Sequence, residues 1–379
     1  MSANLHIYPA PIVNESRIFR QTAAVASESL FERVVICGQQ AQGLPRMEAV
    51  GPRRTIERVG VPVDERPRSL IGRIREQIAW SVGVYRAWRT RSVRVVNAHS
   101  VAVLPVSYAV ARRHHASLIY DTHELETKTS TSGGLQGTLF RLVERFYIRR
   151  CDVVFVVNES IAQWYRDTYP GVRVIAIHNA PSMEGPTGRV DLREKHGIPH
   201  RERVYVHVGN IVEHRFVPEI LQAFAAREGS GDHIVFIGSG ALEGAVREYA
   251  ERHSNIHLHG AVPADSVVNT AAGGDLGLCL IEPTCLSYAL SLPNKALEYA
   301  KAGIPFFYTD LVEVDRLLGA EFLSWKVRPT IQALTDSMTG LQMTDIEAGR
   351  DALAEVSLPE WGREAARMLD EYRRILETP

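Results

Sequence analysis

The chain has 379 residues, 45% hydrophobic and 23% charged, which is too long for one ordinary core and suits two α/β domains. That composition excludes collagen-like, disordered and disulfide-scaffold proteins, and no run of eighteen apolar residues is available to span a bilayer. The net charge of −1 conceals an asymmetry: residues 1–180 hold 24 Lys and Arg against 15 Asp and Glu, the remainder 19 against 29. Opposite signs on the two halves imply different jobs, with the basic half facing an anionic partner or surface.

Short β-branched runs predict strands at 4–8, 33–37, 93–97, 117–121, 153–157 and 173–177, with helices between them, the longest over about 68–91. A turn-rich segment without periodicity, His178 to Gly188, reads as a linker. Beyond it, strands at 203–208, 233–237, 256–259, 276–281 and 305–308 alternate with helices over about 216–228, 241–253, 264–272 and 293–302. A last helix over about 359–376 has apolar positions at Trp361, Ala365, Met368, Leu369, Tyr372 and Leu376. The alternation predicts two Rossmann-like, doubly wound α/β domains, with ligand at the C-terminal ends of the strands. The expected boundaries are 1–180, 181–358 and a terminal helix over 359–379. Cys37, Cys151, Cys279 and Cys285 form no C-x-x-C pair and read as reduced core thiols. The opening Met-Ser-Ala-Asn-Leu-His has neither region of a signal peptide, so a cytoplasmic protein is expected.

The most informative stretch runs from Leu292 through Pro293, Asn294 and Lys295 to Glu298, Tyr299, Gly303 and Pro305. Pro293 suits the first position of a helix and Gly303 its end. Free N–H groups at such a start can hold a phosphate. A cation in the first turn opposes the helix dipole, so Lys295 is either a solvated lysine or one that meets an anion.

This run resembles the signature of glycosyltransferase family 4, a Glu-(aromatic)-x-x-x-Gly-x-Pro helix that binds the sugar donor. The resemblance implies that Leu290, Ser291, Leu292, Pro293 and Asn294 bind the donor, Leu290 at the position that contacts its sugar, that the helix start with Lys295 holds the diphosphate, and that Glu298 holds the ribose hydroxyls. Leu290 stands where many members carry a glutamate. The segment from Val206 to Phe216 resembles the family's strand–Gly–Arg–x–x–x–x–Lys–Gly element: Gly209 is retained, Arg215 takes the lysine position, Asn210 replaces the arginine and Phe216 the glycine. Gly238 and Gly240 in Ile237-Gly-Ser-Gly-Ala-Leu242 resemble the family's Gly-x-Gly-x-Leu turn, and His259-Gly-Ala-Val262 its base-binding element. Tyr120-Asp-Thr-His-Glu124 resembles its Asp-x-His-Glu segment, which implies that His123 lies beside the transferred sugar. Ser16, Arg17 and Glu124 are weaker candidates for donor or acceptor contacts. Ser16 reads as an N-cap.

The matches keep the family's order over residues 4–320. They imply a GT-B architecture, two domains facing across a cleft with the last helix crossing back to the first. The implied activity is retaining transfer from a nucleotide-sugar donor to a glycan, lipid-linked or small-molecule acceptor, as in polysaccharide biosynthesis, with no cofactor and no metal. No Asp-x-Asp, P-loop, His-Glu-x-x-His or Gly-x-Ser-x-Gly occurs. A dinucleotide fingerprint fails because Glu243 stands where its third glycine belongs. A nucleotide-sugar epimerase of the same fold and a non-catalytic nucleotide-binding module remain open. No nucleic-acid partner is expected. Eight arginines in 66–94 and four in 138–150 fit an anionic membrane surface, whereas Ile71, Ile74, Ile78, Val82 and Tyr85 at helical spacing also fit an ordinary core face.

Overall fold

The computed structural model describes every residue except 1, 14, 63–68, 131–132, 181–187 and 378–379. Asn14, Arg66, Arg68, Thr131, Ser132 and most of the expected linker therefore lie outside the described residues. The chain divides into two compact units, one of residues up to Asn179 with those from Gly362 on, the other Ala180–Trp361.

The first unit holds eight strands: β1 (Ala3–Ile7), β2 (Arg33–Gln39), β3 (Met47–Gly51), β4 (Arg54–Val59), β5 (Val93–Ala98), β6 (Ser117–Asp121), β7 (Val153–Val156) and β8 (Val174–Ala176). They form one sheet in the order β3-β4-β2-β1-β5-β6-β7-β8, parallel except where β3 runs against β4. Every residue of β1 and β7 is buried, as strands covered on both faces require. The sequence does not predict β3 and β4, because an edge pair alternates exposed and covered residues and lacks an apolar run. The helices are α1 (Ser16–Ser27), α2 (Leu70–Trp88), α3 (Leu104–His114), α4 (Gly134–Tyr147) and α5 (Glu159–Thr168). Glu144 pins the inner side of α4: its buried carboxylate accepts from Tyr165 at 2.6 Å, from Tyr169 and Thr127 at 3.1 Å and from Tyr120 at 3.2 Å.

The second unit has five parallel strands, β9 (Arg203–Val208), β10 (Asp232–Ile237), β11 (Ile256–Gly260), β12 (Leu276–Cys279) and β13 (Phe306–Tyr308), in the order β11-β10-β9-β12-β13. Its helices are α6 (Leu192–His196), α7 (Val217–Ala225), α8 (Glu243–Arg252), α9 (Val267–Ala271), α10 (Leu286–Ala289), α11 (Asn294–Ala302), α12 (Val312–Leu318), α13 (Ile331–Gly340) and α14 (Met343–Ala354). A Cβ on Gly277 would fall 2.6 Å from the Tyr299 ring, so glycine there lets α11 settle onto β12.

The last helix, α15 (Trp361–Glu377), completes the first unit. Tyr372 is buried and donates to Asn97 Oδ1 at 2.6 Å, Glu371 pairs with Arg173, and Glu364 meets His178 Nδ1 at 3.1 Å. The chain order reverses at β1/β5 in the first sheet and at β9/β12 in the second. The crevices there, beyond the strands' carboxyl ends, are where open α/β sheets bind ligands. Among the described residues no helix is long and apolar enough to cross a membrane. All four cysteines are free, Cys37 and Cys279 buried, Cys151 and Cys285 half-buried.

Candidate functional site

In the second unit the switch point collects two cations and a helix start. β9 ends with buried His207, and Gly209 then turns the chain at φ +97° into the short helical turn Glu213–Arg215. Phe216 keeps the left-handed backbone (φ 62°, ψ 21°) that a glycine would favour, and its ring is buried in exchange. The loop after β10 lies against this one: Gly209 N–H donates to Ile237 O and Ile211 N–H to Ser239 O, both at 2.9 Å. A side chain on Gly238 would collide with the Gly209 carbonyl, and one on Gly240 with that of Ile211. These glycines thus have a packing reason to be glycine.

Helix α11 begins at Asn294. Pro293, expected as its first residue, is instead the N-cap, extended at ψ 137°, with its ring ahead of the first turn. No side chain caps this end and no acid occupies the first turn. Lys295 is only 7% exposed, with Nζ 3.5 Å from His207 Nε2. Burial pushes its ammonium down to about 8, with Arg215 adding to the fall and Cys279 and Glu298 opposing it. Burial, then Lys295, hold His207 well below its ordinary value, so a neutral imidazole meets the ammonium. Arg215 is half-buried over the Tyr288 ring at 5.5 Å. Among the described residues neither cation makes an ion pair within 4 Å.

Glu298 is half-buried, one turn beyond Lys295. Its neighbour Tyr299 donates to Val206 O at 3.0 Å and accepts from Val208 N–H at 2.9 Å, which locks α11 to the end of β9. Leu290 closes α10 through its N–H to Leu286 O, and Ser291 Oγ donates to Tyr288 O at 2.8 Å. Leu292 and Val262 pack against the unit's core, while Asn294 and Asn210 are exposed.

In the first unit, parallel register sets His6 beside Asn97 and Ala98 beside Tyr120, so the ends of β1, β5 and β6 meet. His6 Nε2 is 2.5 Å from Asn4 Oδ1, an acceptor, so it donates there. His6 Nδ1 then accepts from His99 Nε2 at 2.8 Å. His99 Nδ1 lies 2.9 Å from Asp121 Oδ2 and 3.1 Å from His123 Nε2, with 3.6 Å between the last two. A carboxylate only accepts, so a proton belongs between His99 Nδ1 and Asp121 Oδ2 unless a cation takes its place. The spacing of the three atoms suits a small divalent ion with ligands at about 2.0–2.2 Å, and equally a shared proton. A shared proton brings less positive charge than a divalent ion would beside Arg17, whose Nη2 is 2.6 Å from Asp121 Oδ1. Burial alone would raise Asp121, but Arg17, His123 and His99 outweigh it and hold the carboxyl well below its usual range.

His123 is the accessible member, its side chain 26% exposed and stacked on Tyr8 at 5.4 Å. Arg17 is corrected by the structure: it is 4% exposed and committed to Asp121 and to Ile177 O at 2.6 Å, so it supports the cluster from behind. Ser16 is corrected too. Glu15 occupies the N-cap, and Ser16 Oγ accepts from Asn179 Nδ2 at 3.3 Å. Glu124 is exposed, and its carbonyl accepts from the Thr122 hydroxyl. Sequence reasoning missed His6 and His99 and gave no role to Asp121, His207 or Tyr299, although its motifs contain them; the strand order brings these residues to the two switch points.

The model of the glycosyl transferase 4-like domain matches residues 16–180. Whole-chain similarity extends to solved structures. The fold is that of the GT-B glycosyltransferases. Sucrose-phosphate synthase of Thermosynechococcus elongatus shares this GT-B fold at TM-score 0.79 and 13% identity, covering 100% of each chain. HepE of Anabaena, solved in complex with UDP and glucose, gives TM-score 0.71 and 14% identity over 99% of this chain and 100% of its own. The α,α-trehalose-phosphate synthase (UDP-forming) of Burkholderia xenovorans, in complex with glucose-6-phosphate, gives 0.63 and 11% over 100% of each. No curated protein matches the chain by sequence.

Proposed function

We propose that this GT-B chain is a cytoplasmic glycosyltransferase that moves a sugar from a nucleoside-diphosphate donor to a glycan, lipid-linked or small-molecule acceptor, with retention and without a metal. The observation that carries the reading is Lys295, a buried cation with no ion pair within 4 Å among the described residues, beside Arg215 and an uncapped helix start. A buried cation left unpaired is costly. A diphosphate would neutralise both cations and accept from the first N–H groups of α11. As the bond to the anomeric carbon breaks, negative charge grows on the departing diphosphate, and these fixed donors stabilise it. Glu298 accepts from the ribose hydroxyls. His123, the accessible end of a hydrogen-bonded relay, meets the sugar or acceptor, and Asp121 and His99 fix its position. The resemblance supports the division into a donor-binding second unit and an acceptor-binding first unit. Support for the donor class comes from the nucleotide named with HepE.

A thermal-shift screen of UDP-, GDP-, ADP- and CMP-linked sugars, followed by product analysis, tests the proposal. One donor should stabilise the protein, be consumed only with an acceptor, and be turned over equally in excess EDTA. Conversion of donor alone would mean an epimerase, and binding without turnover a nucleotide-binding module, which Leu290 and Asn210 favour. Activity lost in EDTA and restored by one divalent ion would place that ion on His99, Asp121 and His123.

A further inference from the structure

Helices α2 and α4 present an apolar surface that their own unit does not cover. Ile71, Ile78 and Val82 on α2 are 72%, 57% and 42% exposed. Leu135, Leu142 and Phe146 on α4 are 82%, 61% and 51% exposed. With Leu139 they make up half of the large exposed hydrophobic residues among the described ones. The sequence allowed these α2 positions to be an ordinary core face, and the exposures overturn that. On α4, Glu144 fixes the inner side, and among the described residues the outer stripe at 135, 139, 142 and 146 is left exposed.

Between the two helices, with α3 as floor, lies an open groove of about 680 Å³ lined by Ile74, Ile78, Val106, Leu139, Phe140 and Val143. That lies within the roughly 300–1,000 Å³ typical of ligand sites. Arginines rim the surface: Arg73, Arg75, Arg86 and Arg89 on the α2 side, Arg141, Arg145, Arg149 and Arg150 on the α4 side, all exposed. The only acids on these segments are half-buried Glu76 and the buried, fully engaged Glu144. Arg150 lies over the Phe146 ring at 3.6 Å, its aliphatic stem on apolar surface and its charge at the rim.

We propose that this face docks on a bilayer leaflet containing anionic phospholipid, with the apolar ridges in the acyl region, an acyl chain in the groove and the arginines among the headgroups. Charge complementarity selects the occupant. A second copy of the chain would bring eight arginines against eight, whereas an anionic leaflet pairs them. A nucleic acid would answer the charge but leave the apolar ridges in water. Amphipathic helices with basic borders lie in the interface in this way. The inference does not rest on sugar transfer, and its test needs neither donor nor acceptor.

The full chain is centrifuged with vesicles of phosphatidylcholine alone and of phosphatidylcholine with 30% phosphatidylglycerol, at low and high salt. Binding is expected only to the anionic vesicles and should weaken with salt. Each arginine near such a surface is worth about fivefold, so Arg86→Gln with Arg89→Gln should lower partitioning about twenty-fivefold. Ile78→Ser with Leu139→Ser removes exposed side chains, so it should leave the melting temperature unchanged and still lower partitioning at least tenfold. Absence of binding at low salt overturns the proposal. So does equal binding by the Ile78→Ser, Leu139→Ser variant, which would reduce the contact to charge alone. Sedimentation velocity showing a dimer that the same variant dissociates would assign the face to a second copy instead.

Discussion

The two strand-switch points are built from similar residues but differ in completeness. At β1/β5 each polar group answers another: Asn4, His6, His99, Asp121 and Arg17 form one continuous hydrogen-bonded set, and only His123 reaches solvent. At β9/β12, Lys295 lies against a neutral imidazole and Arg215 against a tyrosine ring, with no carboxylate among the described residues in an ion pair with either. A satisfied network specifies geometry, whereas a buried cation without an ion pair favours an anion brought close to it. Removing a member should therefore destabilise the first site and relieve the second.

The sharpest break is Lys295→Ala. Turnover should fall about a hundred- to a thousandfold, because the lost interaction grows as the diphosphate departs. The melting temperature should hold or rise, since a buried unpaired ammonium has been removed. Retained activity with a lowered melting temperature would make Lys295 a structural cation and dissolve the contrast. The mirror experiment is Asp121→Asn, which leaves Arg17 buried without its partner. Urea unfolding should show a loss of about 3–5 kcal/mol. If stability is unchanged, the first network is not what holds these strand ends.

Smaller effects separate binding from positioning. Glu298→Gln should weaken donor affinity about tenfold or more by calorimetry, because a charged acceptor contributes roughly 1.5–3 kcal/mol. An unchanged affinity with lower stability would return Glu298 to the helix surface. The gentlest probe is pH. Burial lowers Lys295 from its ordinary value to about 8, so the charge that attracts an anion fades as pH rises through that point. UDP affinity should be steady at pH 6–7 and fall several-fold by pH 9.5, and Lys295→Arg should flatten the profile. For folding the sign is opposite: above about 8 the unfolded chain holds a proton that the folded one has released, so stability rises with pH in that window.

The parallel core strands were legible because strands covered on both faces are apolar throughout; β6 and β9 have the bounds their sequences indicate. β3 and β4 were not, since an edge pair needs no apolar run, and Arg58, buried in β4, is held by backbone carbonyls that sequence cannot place. In the second site the cations and helix start could be read, because a proline, a lysine and a later glycine mark a helix locally. The burial of Lys295 could not, as it depends on His207 from a strand 88 residues away. Nor could the His6–His99 contact, which spans 93 residues and exists only because β1 and β5 are neighbours. Phe216 shows the reverse: the residue departs from the pattern while the backbone keeps the conformation.

Helix α15 has a consequence for how the protein is made. Its residues from Gly362 on belong to the first unit, yet the ribosome reaches them only after all of residues 180–361. At about 5–20 residues per second, the nascent first unit waits roughly ten to forty seconds for Tyr372 and Glu371. During that interval Asn97 lacks the hydroxyl and Arg173 the carboxylate that they meet in the finished fold. The second unit carries no such debt and can close its sheet as it emerges. Translation of this chain should therefore finish the unit begun second before the one begun first.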